Sequence, residues 1–279
     1  MNISIDIPLE YKENLYKLLS GEDFSFGSTK YAFFRAEKNG VIVTFYKSGK
    51  LLIQGKESDK IYSLIKEEFV KENKRPWMGT DEAGKGDYFG PLVVAGVIID
   101  PNKKDLFKLG IKDSKRLSSA RIAGLAELIK KEFIYEIVIL EPKKYNTIYN
   151  TENNLNKILS RLHIDVINKL ILQKSVNKVV VDKFSRTSGI HEYFKDKVEI
   201  DEVIKGEKDL ACAAASILAR DAFNKYMDKM SAKYKFEFPK GAGKKVKEAL
   251  FSFLQVYPSK ELNNVAKLHF KLTKEVLSD

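Results

Sequence analysis

Leu92 to Ile99 reads Leu-Val-Val-Ala-Gly-Val-Ile-Ile, with no polar residue at any alternate position. A strand with one wet face alternates apolar and polar residues, so this run predicts a strand covered on both faces. Covering both faces takes helices, and the sequence around the run supplies them. Ser119 to Phe133 reads as a helix and Ile134 to Leu140 as a strand. Leu155 to Lys174 reads as a long helix with Leu159, Leu162, Val166, Ile167 and Leu170 on its apolar side. Val179-Val180-Val181 is a short buried strand ending at Asp182, and Leu210 to Met230 is a second long helix. Strands alternating with helices predict an α/β fold: a mixed sheet flanked by helices.

The first 72 residues are a different kind of chain. Ile3, Ile5 and Ile7 alternate as in a strand, and Pro8 to Leu19 has helical spacing. Tyr31–Ala36, Val41–Tyr46 and Leu51–Gln54 follow as strands. Lys38-Asn39-Gly40 and Lys47-Ser48-Gly49 separate them as hairpin turns, because Asn and Gly tolerate positive φ. Ser58 to Val70 reads as a helix with Ile61, Leu64, Ile65 and Phe69 on one face. The stretch Lys71-Glu72-Asn73-Lys74-Arg75-Pro76 reads as a linker. It divides a small α/β domain, 1–72, from a larger domain, 77–279.

Charge follows that division. The chain of 279 residues has a formal net charge of +11. Residues 1–72 hold 11 basic and 11 acidic residues, so the excess lies on the larger domain. A basic excess suits a polyanionic partner, nucleic acid before membrane. In the small domain the strands and turns from Lys30 to Lys56 carry Lys30, Arg35, Lys38, Lys47, Lys50 and Lys56 against one acid, Glu37, while acids such as Glu10, Glu13, Asp59, Glu67 and Glu68 lie on the two helices. The expectation is a basic, aromatic-bearing open sheet face that could serve as a nucleic-acid platform.

The same sequence excludes several classes. One cysteine, Cys212, rules out a disulfide framework and a Cys-based zinc site. The three histidines are far apart, which argues against a His-rich metal centre. No apolar run approaches the roughly 20 residues of a membrane span. No signal peptide is visible at the N-terminus, so a reducing cytoplasm is the expected compartment.

Carboxylates carry the candidate chemistry. Asp182 ends a buried strand, a position at the sheet rim where function tends to sit. Asp81 and Glu82 precede a Gly-rich turn in Asp81-Glu82-Ala83-Gly84-Lys85-Gly86-Asp87-Tyr88-Phe89-Gly90-Pro91. The glycine spacing does not fit a dinucleotide fingerprint, and no Gly-Lys-Ser/Thr is present for a phosphate-binding P-loop. Glycines flanking Lys85 suit close backbone approach to a ribose or phosphate. Adjacent acids beside such a loop are costly unless a hard cation neutralises them, which points to Mg²⁺, with Mn²⁺ as an alternative.

The stretch Asp81 to Val93 resembles the signature of the type 2 ribonucleases H, specifically the ribonuclease HIII branch. Asp113-Ser114-Lys115, Asn154 to Ser160, Val181-Asp182, Leu210 to Ile217, Lys240-Gly241-Ala242 and Ala266 to Phe270 resemble the same family. The resemblance spans roughly 77–272. Gly84-Lys85-Gly86, where ribonuclease HII has Gly-Arg-Gly, favours the HIII branch. The N-terminal unit resembles that branch's TATA-binding-protein-like substrate domain.

The resemblance implies a ribonuclease H-like fold and hydrolysis of the RNA strand of RNA–DNA hybrids by two divalent metal ions. The products would carry 5′-phosphate and 3′-hydroxyl ends. Asp81, Glu82, Asp182 and a fourth acid would be catalytic metal ligands. Gly84, Lys85 and Gly86 would read the RNA 2′-hydroxyl, with Ser114 and Lys115 on the phosphate path. A monomer is expected. For the fourth acid, Glu207 and Asp209 both precede the Ala-rich helix. Lys205-Gly206-Glu207 matches the family's basic-small-acid pattern, which favours Glu207 as the ligand and Asp209 as the helix cap, with Asp209 as ligand the alternative. His163, inside a predicted helix, reads as structural; so do Trp77 and Cys212, and His269 reads as packing. Two other activities fit less well: incision at single ribonucleotides in DNA, as in ribonuclease HII, and hybrid binding without catalysis.

Overall fold

The computed structural model describes residues 2–72, 76–101, 117–185 and 188–277. The chain divides into two compact units, Met1–Lys74 and Arg75–Asp279.

In the first unit, β1 (Asn2–Asp6), β2 (Ser25–Gly27), β3 (Ala32–Lys38), β4 (Val41–Tyr46) and β5 (Lys50–Gln54) form an antiparallel sheet in the order β1-β5-β4-β3-β2. The helices α1 (Lys12–Gly21) and α2 (Ser58–Glu72) supply Leu15, Leu19 and Ile65 to one core with Phe34, Ala36, Val43, Phe45, Leu51 and Ile53. Successive strand residues point to opposite faces. The register therefore places Ser4, Leu52, Thr44 and Arg35 in one row on the face away from that core.

That row corrects the expected platform. Phe34 and Phe45 are opposite one another and turn inward, so these two aromatics are withdrawn from the outer face. Arg35 is ion-paired with Glu37 at 2.8 Å, and Lys38 donates to the Glu22 carbonyl. Lys30, Lys47 and Lys56 lie in turns. Arg35 and Lys50 lie on strands within the sheet, and the other cations lie in turns or are tied to a carbonyl, so they do not form a continuous basic face.

The second unit is built around β6 (Trp77–Ala83), β7 (Leu92–Ile99), β8 (Ile134–Leu140), β9 (Lys178–Asp182) and β10 (Glu199–Val203), in the order β10-β9-β6-β7-β8. β9 runs parallel to β6 and β10, whereas β7 is antiparallel to β6 and β8, so the sheet is mixed. All eight residues of β7 are buried. Val93, Ala95, Val97 and Ile99 share a core with α3 (Ser119–Glu132), α7 (Leu210–Tyr234) and α8 (Lys244–Val256). Leu92, Val94 and Ile98 share the other with α4 (Pro142–Glu152), α5 (Leu155–Gln173) and α6 (Ile190–Phe194). The short α9 (Leu262–Val265) and α10 (Lys271–Leu277) close the first of these cores. Among the described residues no helix is long and apolar enough to cross a membrane.

The closest packing in this unit lies behind the acids. A Cβ on Gly79 would fall 2.1 Å from the Cys212 backbone nitrogen, so α7 lies directly against β6. Only small residues permit such an approach, and α7 begins Leu-Ala-Cys-Ala-Ala-Ala-Ser, all buried. Cys212 is accordingly a packing residue: its thiol approaches the Val180 carbonyl at 3.2 Å, and burial pushes its pKa up.

Candidate active site at the rim of the second sheet

β6 and β9 bring the first three acids to one rim. Thr80 is in register with Val181, so Asp81 and Asp182, each one residue further on, stand at the same level on neighbouring strands. Strand alternation turns Asp81 toward α7 and Glu82 toward α5. Asp81 accepts from the Ser216 hydroxyl on α7 and, through Oδ1, from the Glu82 amide at 2.8 Å. Those bonds favour the charged form, but they are outweighed. Burial first, then the Glu82 charge and, to a lesser degree, that of Asp182 push the Asp81 pKa up to about 7. Three carboxylates crowded at a buried rim disfavour one another's charge.

Asp182 uses Oδ1 to accept from the Gly206 amide at 2.8 Å. A Cβ at Gly206 would lie 2.9 Å from the Asp182 Cβ, so the small residue lets this turn press onto the strand end. Glu207 follows immediately in the turn Gly206–Lys208, which carries its backbone past Asp182. Asp209 is occupied elsewhere. It caps α7, accepting from the Ala211 and Cys212 amides at 2.8 and 3.0 Å, and its other oxygen accepts from the Trp77 indole at 3.1 Å. Trp77 is thus neither simple core nor a stacking surface; it anchors the cap.

Beyond the acids the chain turns at Gly84, whose φ of +89° suits glycine and whose Cβ would strike the Pro91 carbonyl. Gly86 has open space where a side chain would be. Lys85 folds back: its Nζ donates to the Phe184 carbonyl at 3.1 Å and stands 3.6 Å from Glu82 Oε1. Three other segments hold the loop. Asp87 accepts from the Gly241 amide, and Phe89 forms an isolated β-bridge with Ala266. The buried Lys267 donates to the Gly90 carbonyl at 2.7 Å, and burial lowers its pKa to about 7. His269 packs, as expected, against Tyr145 and Tyr149, and burial lowers its pKa to about 4. Ser114 and Lys115 lie outside the described residues.

The donor set is oxygen-rich, as a hard divalent cation requires. Among the described residues no group of three or more His, Cys, Asp or Glu side chains is gathered closely enough to hold a metal ion. The rim is instead an open arc of Asp81, Glu82 and Asp182. Two observations fit a cation there: the donor set is made of adjacent carboxylates, and the pKa of Asp81 is raised by burial and by the Glu82 charge. His163, read from sequence as structural, proves to face this site. It is wholly buried on α5, with Nδ1 2.9 Å from the Thr80 hydroxyl and Nε2 3.5 Å from Glu82 Oε2. The available signal was a lone polar residue among the apolar positions Leu159, Leu162, Val166 and Ile167.

Comparison with known proteins identifies relatives of the chain. The Ribonuclease HII family model matches residues 78–273, and a domain of unknown function, DUF3378, matches 23–74. The ribonuclease HIII of Protochlamydia amoebophila (strain UWE25) is 37% identical over 97% of this chain and 95% of its own. That of Chlamydia pneumoniae is 35% identical over 96% and 95%. Among solved structures, Bst-RNase HIII in complex with Mn²⁺ aligns over 100% of this chain and 98% of its own, with a TM-score of 0.72 at 27% identity. Aquifex aeolicus RNase H3 aligns over 96% of this chain and 100% of its own, with a TM-score of 0.61 at 31% identity.

Proposed function

The chain belongs to the ribonuclease HIII family and is a ribonuclease H enzyme, and on that premise we propose that it cuts the RNA strand of continuous RNA–DNA hybrids, leaving 5′-phosphate and 3′-hydroxyl ends. The observation that carries this reading is the rim itself: Asp81 and Glu82 beside Asp182, next to a glycine-flanked loop with an open position at Gly86.

In this reading Asp81, Glu82, Asp182 and Glu207 hold divalent cations, Mg²⁺ or Mn²⁺. Bound there, the cations would neutralise the phosphate, activate water and stabilise the leaving oxygen. The Mn²⁺ complex of Bst-RNase HIII supports the divalent requirement. Asp81 gives up its proton to become a ligand, while Ser216 and the Glu82 amide keep its carboxylate oriented. The Gly206 amide does the same for Asp182. Backbone around Gly84, Lys85 and Gly86 approaches the ribose and tests for the 2′-hydroxyl, the chemical mark of RNA. Asp87, Phe89 and Lys267 keep that loop from yielding. Ser114 and Lys115 contact the phosphate path, and the N-terminal unit adds hybrid affinity.

Asp81→Asn tests the assignment. It should abolish turnover while hybrid binding stays near native. Loss of binding together with activity would make Asp81 a structural residue instead.

A further inference from the structure

The apolar side of α5 covers the sheet with Leu159, Leu162, Val166, Ile167 and Leu170. His163 sits on that side, wholly buried. A buried imidazole has two ring nitrogens to satisfy. Nδ1 has the Thr80 hydroxyl at 2.9 Å. Nε2 points at Glu82 Oε2 from 3.5 Å, and among the described residues neither atom has a hydrogen-bond partner. Phe184 stacks on the imidazole at 4.9 Å between centroids and 14° between planes, which holds the ring plane.

The tautomer follows from the neighbours. If Nδ1 carried the proton, Nε2 would present a lone pair to a carboxylate oxygen, two acceptors facing each other. If the Thr80 hydroxyl donates to Nδ1, Nε2 carries the proton and faces Glu82 Oε2 as a donor facing an acceptor. A gap of 3.5 Å is long for a hydrogen bond, and a small rotation of the Glu82 carboxylate closes it. Histidine ligands of metals are commonly oriented by a carboxylate behind them. Here the order is reversed, with the carboxylate in front and the imidazole behind.

We propose that His163 is a positioning residue for Glu82: its Nε2–H, fixed by Thr80 and Phe184, holds Oε2 so that Oε1 is presented to the cation. The proposal rests on the reading of Glu82 as a metal ligand.

The test is Mn²⁺ binding to the full-length metal-free protein, followed by loss of the free-Mn²⁺ electron paramagnetic resonance signal. His163→Leu removes both nitrogens, and His163→Asn keeps a donor only near the Nδ1 position. Both should raise the Mn²⁺ dissociation constant by roughly 10–100-fold, the usual effect of losing an orienting partner. His163→Gln, whose amide nitrogen reaches the Nε2 position, should restore affinity to within a few-fold of native. The double variant Glu82→Gln, His163→Leu should bind no more weakly than Glu82→Gln alone. Circular dichroism of each metal-free variant reports folding; if His163→Leu does not fold, the Gln and Asn pair decides. Native affinity in His163→Leu, or equal affinity in the Gln and Asn variants, overturns the positioning role. Native affinity in Glu82→Gln overturns instead the reading of Glu82 as a ligand.

Discussion

Asp81 is a carboxyl held where its charge is unwelcome until a cation arrives. Its pKa of about 7 lies above that of an unfolded aspartate, so its stabilising contribution to the metal-free fold is complete below about pH 4 and is lost as pH rises toward 7. Metal binding runs the other way, because the ligand must be deprotonated. Mn²⁺ affinity should rise with pH up to about 7 and then level off, with a proton released per binding event on the acid side. Calorimetry in buffers of different ionisation enthalpy checks this, and Asp81→Asn should flatten the profile. Asp209 and Glu207 divide differently. Asp209→Ala removes a helix cap and should cost about 0.5–2 kcal/mol in urea unfolding, while Asp209→Asn, which caps nearly as well, should cost less. Glu207→Gln should leave stability unchanged and remove most activity. At this scale the acids were legible because Asp182 directly follows three valines and Asp81-Glu82 sit in a dense motif. His163 was not, because its role lies in which atoms its ring nitrogens meet, and helical spacing gives only the side of the helix.

The rim stays in place because β6, β9 and the start of α7 cannot slide past one another. Gly79 is the point of closest approach. Gly79→Ala would drive a methyl into the α7 backbone, an overpacking expected to cost about 1–3 kcal/mol or more by urea denaturation. It should also weaken the Ser216 contact to Asp81, so activity should fall further than stability alone explains. Elements with a clear pattern were readable: Val41–Tyr46, the buried β7 and the apolar side of α5 follow from alternation or its absence. Others lack that signal. β2 has three residues, and β10 is Glu-Ile-Asp-Glu-Val with one buried residue, Ile200. β6 carries two charged residues, Asp81 and Glu82, just before its last residue, and was readable only as the approach to a turn. α4 is mostly polar and is fixed by Tyr145 and Asn146, whose partners lie more than a hundred residues away in sequence.

Across the whole molecule, the charge excess on 73–279 and the neutral first unit suggest a division of labour. Removing residues 1–70 should weaken hybrid binding more than it slows single-turnover cleavage at saturating hybrid, since the candidate ligands all lie in the second unit. The open face of the first sheet is less aromatic than its composition implied, because the pleat turns Phe34 and Phe45 inward, and less basic, because Glu37 pairs with Arg35. Its affinity should therefore come from edge and turn lysines. Each lost phosphate contact should reduce the salt slope by about 0.7–0.9 log units per log salt. The central claim is that this rim and its glycine loop cut RNA within a continuous hybrid. The direct measurement is Mg²⁺-dependent cleavage by the native chain of two end-labelled duplexes, a continuous RNA–DNA hybrid and a DNA duplex holding one ribonucleotide. The account predicts efficient cleavage of the RNA strand of the first, with 5′-phosphate products, and little incision of the second. Efficient incision at the lone ribonucleotide, or an uncut hybrid, would contradict it.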